Sequence, residues 1–580
     1  MAVKPIDTRD EQGLSLTFPP TTMEAMERRL VGAHVAVAFV ALLIGILLGP
    51  AQTFRRSPGF QEVWQNITGS EYAIPVFSYY YQALTLHGVL NALVFTTFFI
   101  MGVSMFVTQR SLNRPLKSPQ LAWASFWLML VGLVLAGVAI ISGQASVLYT
   151  AYLPMSAHPA FYIGLVLVVV GSWVGALNVM LTYLDWRKEN AGQPVPLAVY
   201  GVLCNFLMWF TATLGVAVEI LFMSLPLSLG IITTTDVQVS RILFWFFGHP
   251  LVYFWLIPAY VSWYTMLPKQ LGVKLFSDTL GRVAFLMIAV FSIPIGVHHL
   301  FVDPGVSESA KLMHSMLTFV VAVTSFMTAF NIAATVERGG RKRGATGLFD
   351  WMWKQPYDDP VVAAQYAGMF LFIFGGITGV MNASFNMNVA LHNTTWVVGH
   401  FHTTLGGAVF LTYVSILYWI MPAIRGKKLW GKNIALLQVY TWLFGMIGFA
   451  GFMGRAGLAG AVRRSDLGDA GAYISEAVAP WLDATAVAGI LLFISSIALY
   501  AVIVGTLFLS NEDRDEKSLP TSTRSPKDEP VPAILENWRL WIAVIVASNV
   551  IMWVPVLLNA ISLATGYYSP AFDCQALGGC

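Results

Sequence analysis

The chain has 580 residues, of which 57% are apolar and only 11% are charged, against roughly a quarter in an ordinary soluble domain. The mean hydropathy is +0.67 and the formal net charge is +3, so charged groups are too few to keep a soluble surface wetted. These values exclude a soluble enzyme, a nucleic-acid binder and a disordered scaffold. Three cysteines (Cys204, Cys574 and Cys580) also exclude a disulfide framework and a thiolate-rich metal site.

Stretches of about 20 apolar residues, the length that crosses a bilayer core of roughly 30 Å, recur along the chain. They predict an all-α, polytopic membrane bundle of about thirteen helices, near 30–49, 79–108, 121–143, 160–184, 197–225, 239–267, 282–301, 311–335, 361–383, 395–424, 434–459, 484–510 and 537–565. The predicted organisation is a cytoplasmic segment (1–29), a catalytic bundle of twelve spans (30–510), a polar linker (511–536), a thirteenth span (537–565) and an outer tail (566–580).

Positive charge predicts the orientation of these spans. If the N-terminus is cytoplasmic and every span crosses, 25 of the 33 Lys and Arg residues fall on the inner side. The N-terminus is therefore predicted inside and the C-terminus outside. Cys574 and Cys580 would then lie outside, where they are either bridged or free.

Most of the ten histidines fall inside or at the ends of hydrophobic spans, where an ionisable side chain is costly and suggests a function. His400 and His402 differ by about 200° on a helix, so they project from opposite faces and cannot share one metal. Each can serve a different metal centre, and His87 can supply a second axial ligand to one of them. Two imidazoles give a closed, electron-transferring iron, whereas one leaves the iron open and reactive.

A third group consists of His249, His298 and His299, and three neutral imidazoles suit copper. Adjacent histidines diverge by about 100° on a helix, so His298 and His299 can converge only at a helix end or a distortion. Tyr253 follows His249 by four residues and lies on the same helix face within side-chain reach. A tyrosine there could supply an electron and a proton to chemistry at the metal.

Four motifs on four helices, YYQALTLHGVLNA, GHPLVYFWLIPAY, VHHLFVDPG and HNTTWVVGHFH, resemble subunit I of a haem–copper oxygen reductase, and within that superfamily its B-type branch. The resemblance extends over roughly residues 20–510. It implies a set of ligands for each centre: His87 and His402 for a low-spin haem, His400 for a high-spin haem, and His249, His298 and His299 for the copper ion CuB. Tyr253 would be joined covalently to His249, and Phe401 would lie between the haems.

The resemblance implies a proton-pumping terminal oxidase that reduces O2 to water with a low-spin haem of b type, a high-spin haem of a or o type and one copper. Tyr253 would be its catalytic tyrosine and the source of the fourth electron. Because the chain has no two-cysteine copper motif, electrons must arrive through another subunit. In this family that is usually a dicopper subunit II fed by cytochrome c, and a quinol donor stays open. A small accessory helix subunit and a location in the prokaryotic cytoplasmic membrane are also expected.

Carboxylates of the haems need cationic partners on the outer side. Arg463 and Arg464 lie in an outer loop that is otherwise poor in Lys and Arg, and guanidinium groups bind carboxylates bidentately. They are predicted to pair with haem propionates. The resemblance adds three residues around the high-spin haem: His392, Asn382 and Asp303. Relatives often carry an acid where this chain has Asn388, so a proton-loading carboxylate is not expected at that position.

The predicted proton path depends on hydroxyl groups. Leu251 stands where A-type relatives carry a glutamate, and the lysine of their second channel is absent from VTSFMTAFN (323–331). Two pairs of residues remain, Tyr260 and Tyr264 on the sixth span and Ser325 and Thr328 on the eighth. The two tyrosines continue one helical face from Tyr253 and predict a polar seam from the cytoplasm towards the copper. Asn331 replaces a hydroxyl at a further position, so the lower end of the path is expected to differ.

Two other functions stay as alternatives. A nitric oxide reductase of the same superfamily would lack the tyrosine and carry glutamates near its second metal, contrary to Tyr253 and the acid-free GHPLVYFW. A transporter with a histidine relay is disfavoured because His400 and His402 leave opposite helix faces.

Glu219 is interpreted as a paired structural acid, with proton transfer as the alternative. The remaining histidines without a motif are expected to be structural: His34, His158 and His314.

Overall fold

The structure, a computed structural model, describes residues 25–69, 80–466, 475–513 and 530–564. Within these ranges regular structure is helical, with sixteen helices: α1 Ala25–Arg56, α2 Pro58–Thr68, α3 Tyr80–Leu112, α4 Pro119–Ile141, α5 Pro159–Glu189, α6 Leu197–Ser228, α7 Val237–Leu271, α8 Asp278–Phe291, α9 Glu308–Lys342, α10 Asp350–Trp353, α11 Pro360–Ala383, α12 Phe385–Leu391, α13 Thr395–Arg425, α14 Lys432–Leu458, α15 Ala479–Leu509 and α16 Trp538–Ala564. Cys574, Cys580 and most of the linker 511–536 lie outside the described residues.

Twelve of these helices are long and apolar enough to cross a membrane by length and composition, and they correspond to twelve of the thirteen predicted spans. The one predicted span without such a helix, 282–301, contains a 14-residue helix (α8) that ends at Phe291, followed by a 3-10 segment, Gly296–Leu300. Pro294 accounts for the break, because proline has no N–H to donate and its ring clashes with the preceding turn. The predicted all-α membrane bundle is confirmed, whereas the orientation stays a prediction.

Several helices begin where a short polar side chain can cap the free N–H groups. Ser118 accepts a hydrogen bond from Leu121 N at 3.2 Å at the start of α4, and Asp236 accepts one from Val239 N at 2.7 Å before α7. Such caps typically contribute about 1 kcal/mol each. The long helix α7 also contains Pro258, which leaves the carbonyl of Phe254 without its helical donor. Asn205 Nδ2 of α6 donates to that carbonyl at 3.3 Å, so the neighbouring helix repairs the gap.

The last helix, α16, packs against α7, α8 and α9 rather than standing apart from the bundle. Arg282 of α8 is fully buried and donates to Asp278 at 2.6 Å and to Glu536 at 3.0 Å, just before α16 begins. Trp538 Nε1 donates to the Tyr183 hydroxyl at 2.9 Å. These buried contacts anchor one end of α16, while the predicted domain division itself stays a prediction.

Candidate metal centres

His87 and His402 face each other in the wall of a large cavity between the helices. Their rings lie 19° from parallel with centroids 6.4 Å apart. Two imidazoles that bind one ion from opposite sides hold their ring centres about 6 Å apart, given a metal–nitrogen bond of about 2.1 Å on each side. The spacing therefore fits an iron ion between the two rings.

Backbone carbonyls fix the orientation of both rings. His87 Nδ1 donates to Gly45 O at 2.7 Å, and His402 Nδ1 donates to Val398 O at 2.9 Å. A proton held on Nδ1 leaves the Nε2 lone pair available as the ligand. Asn91 Nδ2 also lies 3.2 Å from His87 Nδ1. The pair has the tautomers that bis-imidazole ligation of a haem requires.

The two helices that carry His87 and His402 change their winding beside these histidines. A π-helical turn occupies Val89–Phe95, starting two residues after His87, and a second one occupies His402–Val409. Turns of this type are rare in proteins overall, and those that occur often lie at functional sites. The sequence analysis missed both turns, because one extra residue in a turn does not change the apolar composition of a span.

His400 contacts α11 instead of α3. Its Nδ1 lies 2.9 Å from the Thr378 hydroxyl, which itself donates to Gly375 O at 2.9 Å and therefore accepts the imidazole proton. Gly379 leaves space beside the ring, since a Cβ there would lie 3.3 Å from His400 Cε1. Among the ring contacts of the described residues, none brings a second imidazole opposite His400. This geometry suits an iron with one open axial position.

The ligand nitrogens of His249, His298 and His299 lie within 4.8 Å of one another, the one such cluster among the described residues. His249 Nδ1 is 3.0 Å from His299 Nε2. His298 Nδ1 lies 3.1 Å from the Thr318 hydroxyl, which donates to His314 O and so accepts the imidazole proton. His298 Nε2 is thereby available as a ligand, and an all-imidazole cluster suits copper.

The 3-10 segment Gly296–Leu300 brings the two adjacent histidines together, with ring centroids 4.3 Å apart. Neighbouring helices hold this segment in place. Val297 N donates to His314 Nδ1 at 3.4 Å, and Trp553 Nε1 of α16 donates to Ile293 O at 2.9 Å. His314 thus has the structural role that its lack of a motif suggested.

Tyr253 completes the cluster. Its hydroxyl oxygen lies 3.2 Å from His249 Nε2, on the side of that ring away from His299. When His249 Nε2–H donates to this oxygen, Nδ1 is left for the metal. The predicted covalent bond between the two rings stays a prediction.

One cavity of about 1100 Å³ connects all of these side chains, and its wall includes His87, His249, His298, His299, His400, Phe401 and His402. Pockets for a single small ligand are commonly about 300–1,000 Å³. The larger volume, with ligands on both sides of α13, suits more than one planar prosthetic group. The residues present therefore fit two haems and a copper ion.

Arginines line the predicted outer end of this cavity. Arg463 Nε and Arg464 Nη2 are buried and have no hydrogen-bond partner within the described ranges, as expected of donors that bind a carboxylate. Arg464 adopts a left-handed backbone conformation, φ 59°, and such strain gathers at functional sites. Arg463 N donates to Asn393 O at 2.9 Å, which ties this loop to the start of α13.

The predicted propionate contacts lie nearby. Asp303 pairs with Arg241 at 2.7 Å, and His392 Nε2 lies 3.8 Å from the other carboxylate oxygen. Burial lowers the pKa of His392 to about 4, and Arg463 adds to the shift, so this imidazole is neutral at physiological pH. Burial also lowers the pKa of Arg463 to about 10, which leaves its guanidinium charged.

Asn382 lies in the cavity wall, and its carbonyl accepts a hydrogen bond of 2.7 Å from Asn388 Nδ2. The same Asn388 nitrogen lies 3.3 Å from His298 O, so the amide links the predicted copper ligand His298 to the end of α11. An ionised acid at position 388 could donate neither of these hydrogen bonds. Asn388 therefore braces this wall as a hydrogen-bond donor.

The predicted hydroxyl path forms pairs between α7 and α9. The Tyr264 hydroxyl donates to Thr328 Oγ1 at 2.7 Å, and the Tyr260 hydroxyl lies 3.4 Å from Ser325 Oγ. Thr328 Oγ1 in turn donates to the backbone carbonyl of Thr324 at 3.1 Å. Below this level Asn331 Oδ1 accepts from Ser277 N at 2.9 Å, so its amide is engaged with the α8 cap.

Four residues of the site escaped the sequence analysis: Thr318, Thr378, Arg241 and Trp245. The two threonines orient imidazoles that are predicted to bind metal, and the indole of Trp245 stacks on His299 with ring centroids 3.8 Å apart. Arg241 was visible as a charge near the start of an apolar span. The threonines gave no signal, because a hydroxyl on a helix usually bonds its own backbone.

The remaining polar groups that the sequence singled out have local partners. Glu219 accepts hydrogen bonds from Ser224 at 2.8 Å and Ser240 at 3.0 Å, as a structural acid would. His34 Nδ1 donates to Leu30 O at 2.9 Å, and His158 caps α5 by accepting from Ala160 N at 3.2 Å.

Comparisons with known proteins agree with this site. A family model described as Cytochrome C and Quinol oxidase polypeptide I matches residues 29–497. Cytochrome c oxidase subunit 1 of Thermus thermophilus is 38% identical over 541 residues, 92% of this chain and 95% of the relative. Heme-copper oxidase subunit I+III of Aeropyrum pernix is 28% identical over 364 residues, 60% of this chain and 43% of the relative. A cryo-EM structure of a heme-copper terminal oxidase dimer superposes with a TM-score of 0.87 and 36% identity, covering 93% of each chain.

The fold and the site define a multi-pass membrane oxidoreductase of the haem–copper class, and haem and copper are the cofactors of that class. The chain belongs to the cytochrome c and quinol oxidase polypeptide I family. The predicted resemblance is thereby confirmed, and its B-type assignment agrees with the Thermus relative.

Proposed function

We propose that this chain is the catalytic subunit I of a proton-pumping terminal oxidase that reduces O2 to two waters with four electrons and four protons. One observation carries the proposal. A cluster of three imidazoles, with a phenol 3.2 Å from one of them, shares a cavity wall with His400. This set contains ligands for copper, a single ligand for a reactive iron and a donor of a proton and an electron.

The residues have separate roles in this proposal. His87 and His402 would hold the low-spin haem iron, His400 the high-spin iron, and His249, His298 and His299 the copper. When bound, these groups supply the redox chemistry that passes electrons to O2. Tyr253 supplies a proton and an electron from the cavity wall, so that O2 can be reduced without release of partly reduced products.

The outer rim would orient the cofactors. Arg463 and Arg464 offer buried donors to propionate carboxylates, and charge-assisted bonds of this kind are roughly twice as strong as neutral ones. Asn382, Asp303 and His392 would complete the surroundings of the high-spin haem. We assign a haem of b type to the low-spin site and one of a or o type to the high-spin site.

The family and the sequence also suggest the electron donor. The cysteines are too few and too far apart for a dicopper site in this chain, so a subunit II with that centre would pass electrons from cytochrome c. A quinol donor is the alternative, and the family description includes both kinds of oxidase. The expected location is the prokaryotic cytoplasmic membrane, with room for an accessory helix subunit.

A nitric oxide reductase is the second candidate. It would need acidic groups beside the second metal, yet the cluster contains imidazoles alone and Leu251 follows the His-Pro pair of α7. Tyr253 beside His249 also favours O2 as the substrate. The oxidase is therefore the function that the geometry supports better.

Optical spectra of the purified complex test this function. We expect the reduced-minus-oxidised spectrum to contain two haems, of which one binds carbon monoxide and one does not. Copper analysis should give one ion per chain beyond any copper of subunit II. A second, non-haem iron in place of this copper would favour nitric oxide as the substrate, and a chain without haem would refute both functions.

The hydroxyl path gives a separate prediction. Thr328→Val removes the oxygen that accepts from Tyr264, and O2 consumption should fall about tenfold or more, since proton transfer through an apolar region needs continuous hydrogen bonds. Haem content and carbon monoxide binding should not change. Thr412→Val is the matched control. Thr412 is a buried residue of α13, away from α9, and its hydroxyl accepts a hydrogen bond of 3.2 Å from Trp263 Nε1. Equal activity of the two variants would contradict a path through Thr328.

A further inference from the structure

The outer end of the cavity contains more cationic than anionic side chains. Arg55 binds Asp466 through two bonds of 3.1 Å, and Arg241 pairs with Asp303 at 2.7 Å. Three further guanidinium groups line the cavity itself: Arg56, Arg463 and Arg464. In the part of the chain that the structure describes, none of these three takes part in an ion pair. A buried, uncompensated charge is costly, so the rim is suited to anionic groups of a bound molecule.

Arg56 lies at the end of α1, beside the cavity. It is the last residue of α1 and is only 9% exposed. Its Nη2 donates to Val462 O at 2.9 Å, and its side chain also hydrogen-bonds to the Tyr80 hydroxyl. Its Nε is buried and has no hydrogen-bond partner among the described residues. Both of these partners are neutral, so within the described residues no anion compensates the charge of this guanidinium.

Arg56 lies on the same face of α1 as the residues that contact His87. On this face the Gly45 carbonyl orients His87, and a Cβ at Gly49 would lie 3.6 Å from His87 Cε1. Residues 45, 49 and 56 are spaced four and seven apart and therefore share that face. Arg56 follows Gly49 by about 10 Å along the helix axis, towards the predicted outer side.

Arg463 and Arg464 approach the cavity from other directions. The guanidinium of Arg464 lies over the rings of Tyr149 and Tyr152, with its carbon 5.7 and 5.2 Å from their centroids. Arg463 is close enough to His392 to lower the pKa of that imidazole. Arg56 therefore offers a cation on the α1 side of the cavity, next to the predicted iron ligand His87.

We propose that Arg56 is a third carboxylate-binding residue of the cavity and that it pairs with a propionate of the haem held by His87 and His402. This inference rests on the proposed function for the presence of that haem. The guanidinium gains an anionic partner, and its charge in turn favours the reduced, less positive haem. Arg56 is thus a positioning residue that raises the reduction potential of the low-spin centre.

Redox titration of the purified complex, followed by optical spectra, tests this inference in Arg56→Gln and Arg56→Lys. In the Gln variant, reduction of the low-spin haem should become about tenfold less favourable, a shift of ~59 mV to lower potential for one electron. The potential of the high-spin haem should not change. The Lys variant retains the charge and should keep the wild-type potential. Arg455→Gln is the control, since Arg455 is exposed and packs over Trp481 outside the cavity wall.

Each outcome has a separate meaning. An Arg56→Gln complex with wild-type potential and wild-type haem content would overturn the inference, as would an equal shift in Arg455→Gln. If the Gln variant does not assemble, the Lys variant is the test. A lower reduction potential of the low-spin haem in Arg56→Lys, despite the retained charge, would also overturn the inference. The haem content of the wild-type complex is measured before that of any variant. A wild-type complex without a low-spin haem would refute the proposed function instead.

Discussion

Tyr253→Phe is expected to reduce O2 consumption by about 10²–10⁴-fold, the range that one positioned proton donor contributes to a reaction. The substitution removes only the phenolic oxygen, 3.2 Å from His249 Nε2. The ring that packs 5.1 Å from this imidazole is retained. Haem and copper contents should therefore equal those of the wild type. Oxygen uptake with reduced cytochrome c and metal analysis of the same sample measure the two quantities.

Tyr413→Phe is the matched control for this substitution. Tyr413 is fully buried in the bundle, and its hydroxyl donates to Trp255 O at 2.7 Å. Loss of that hydrogen bond should cost about 1 kcal/mol of stability and leave turnover near the wild-type value. A Tyr253→Phe enzyme as active as this control would contradict a redox role for the phenol. Peroxide in the Tyr253→Phe assay would support such a role, since it reports incomplete reduction of O2.

His298→Asn is expected to remove the copper ion and abolish O2 reduction while both haems remain. Even partners outside the ligand set typically change metal affinity by about 10–100-fold, so loss of a ligand should exceed that range. The amide is too short to reach the point where the His249 and His299 nitrogens converge. Copper and iron analysis of the purified complex should show iron at the wild-type level and copper lowered by one per chain.

His34→Asn provides the comparison for the copper measurement. His34 is fully buried in α1, and its Nδ1 bonds to Leu30 O within its own helix. This variant should keep all of its copper, although it loses a buried side chain. His314 is a poor control, because its ring braces the segment that carries His298 and His299. Full copper content in His298→Asn would show that the three-imidazole cluster is not the copper site.

The spacing of polar residues in the sequence predicted much of the site. The helical repeat predicted that His400 and His402 cannot share one metal, and in the structure His402 stacks on His87 while His400 contacts Thr378. The sequence also restricted His298 and His299 to a helix end or a distortion, and they lie in a 3-10 segment. In both cases local geometry alone limits where a side chain can point.

Contacts between distant helices could not be predicted from the spacing of residues in the sequence. The Gly45 carbonyl, the Thr318 hydroxyl and the Thr378 hydroxyl fix the tautomers of three imidazoles, yet none of these residues differs in the sequence from ordinary span residues. The π-helical turns at Val89–Phe95 and His402–Val409 were equally hidden. These features depend on which helices pack together, and hydropathy contains no information about that.

Arg56 illustrates the same limit. In the sequence it directly follows Arg55, just after the first predicted span (30–49), and nothing distinguishes the two arginines. In the structure Arg55 is paired with Asp466, 411 positions later in the chain, whereas Arg56 lines the cavity. Adjacent residues at a helix end point in directions about 100° apart, so only the packing of α1 decides which one faces the cofactor cavity.

By itself the sequence determined that this protein is a helical membrane bundle, because apolar length is a local property. The helical repeat and ligand chemistry, together with the family resemblance, further predicted imidazoles for two iron centres and a copper ion. Tertiary structure alone decided where α8 ends in a 3-10 segment, which hydroxyls and carbonyls orient the imidazoles, and which arginines face the cavity. Those features arise from contacts between residues tens to hundreds of positions apart, and such contacts exist only once the helices have packed.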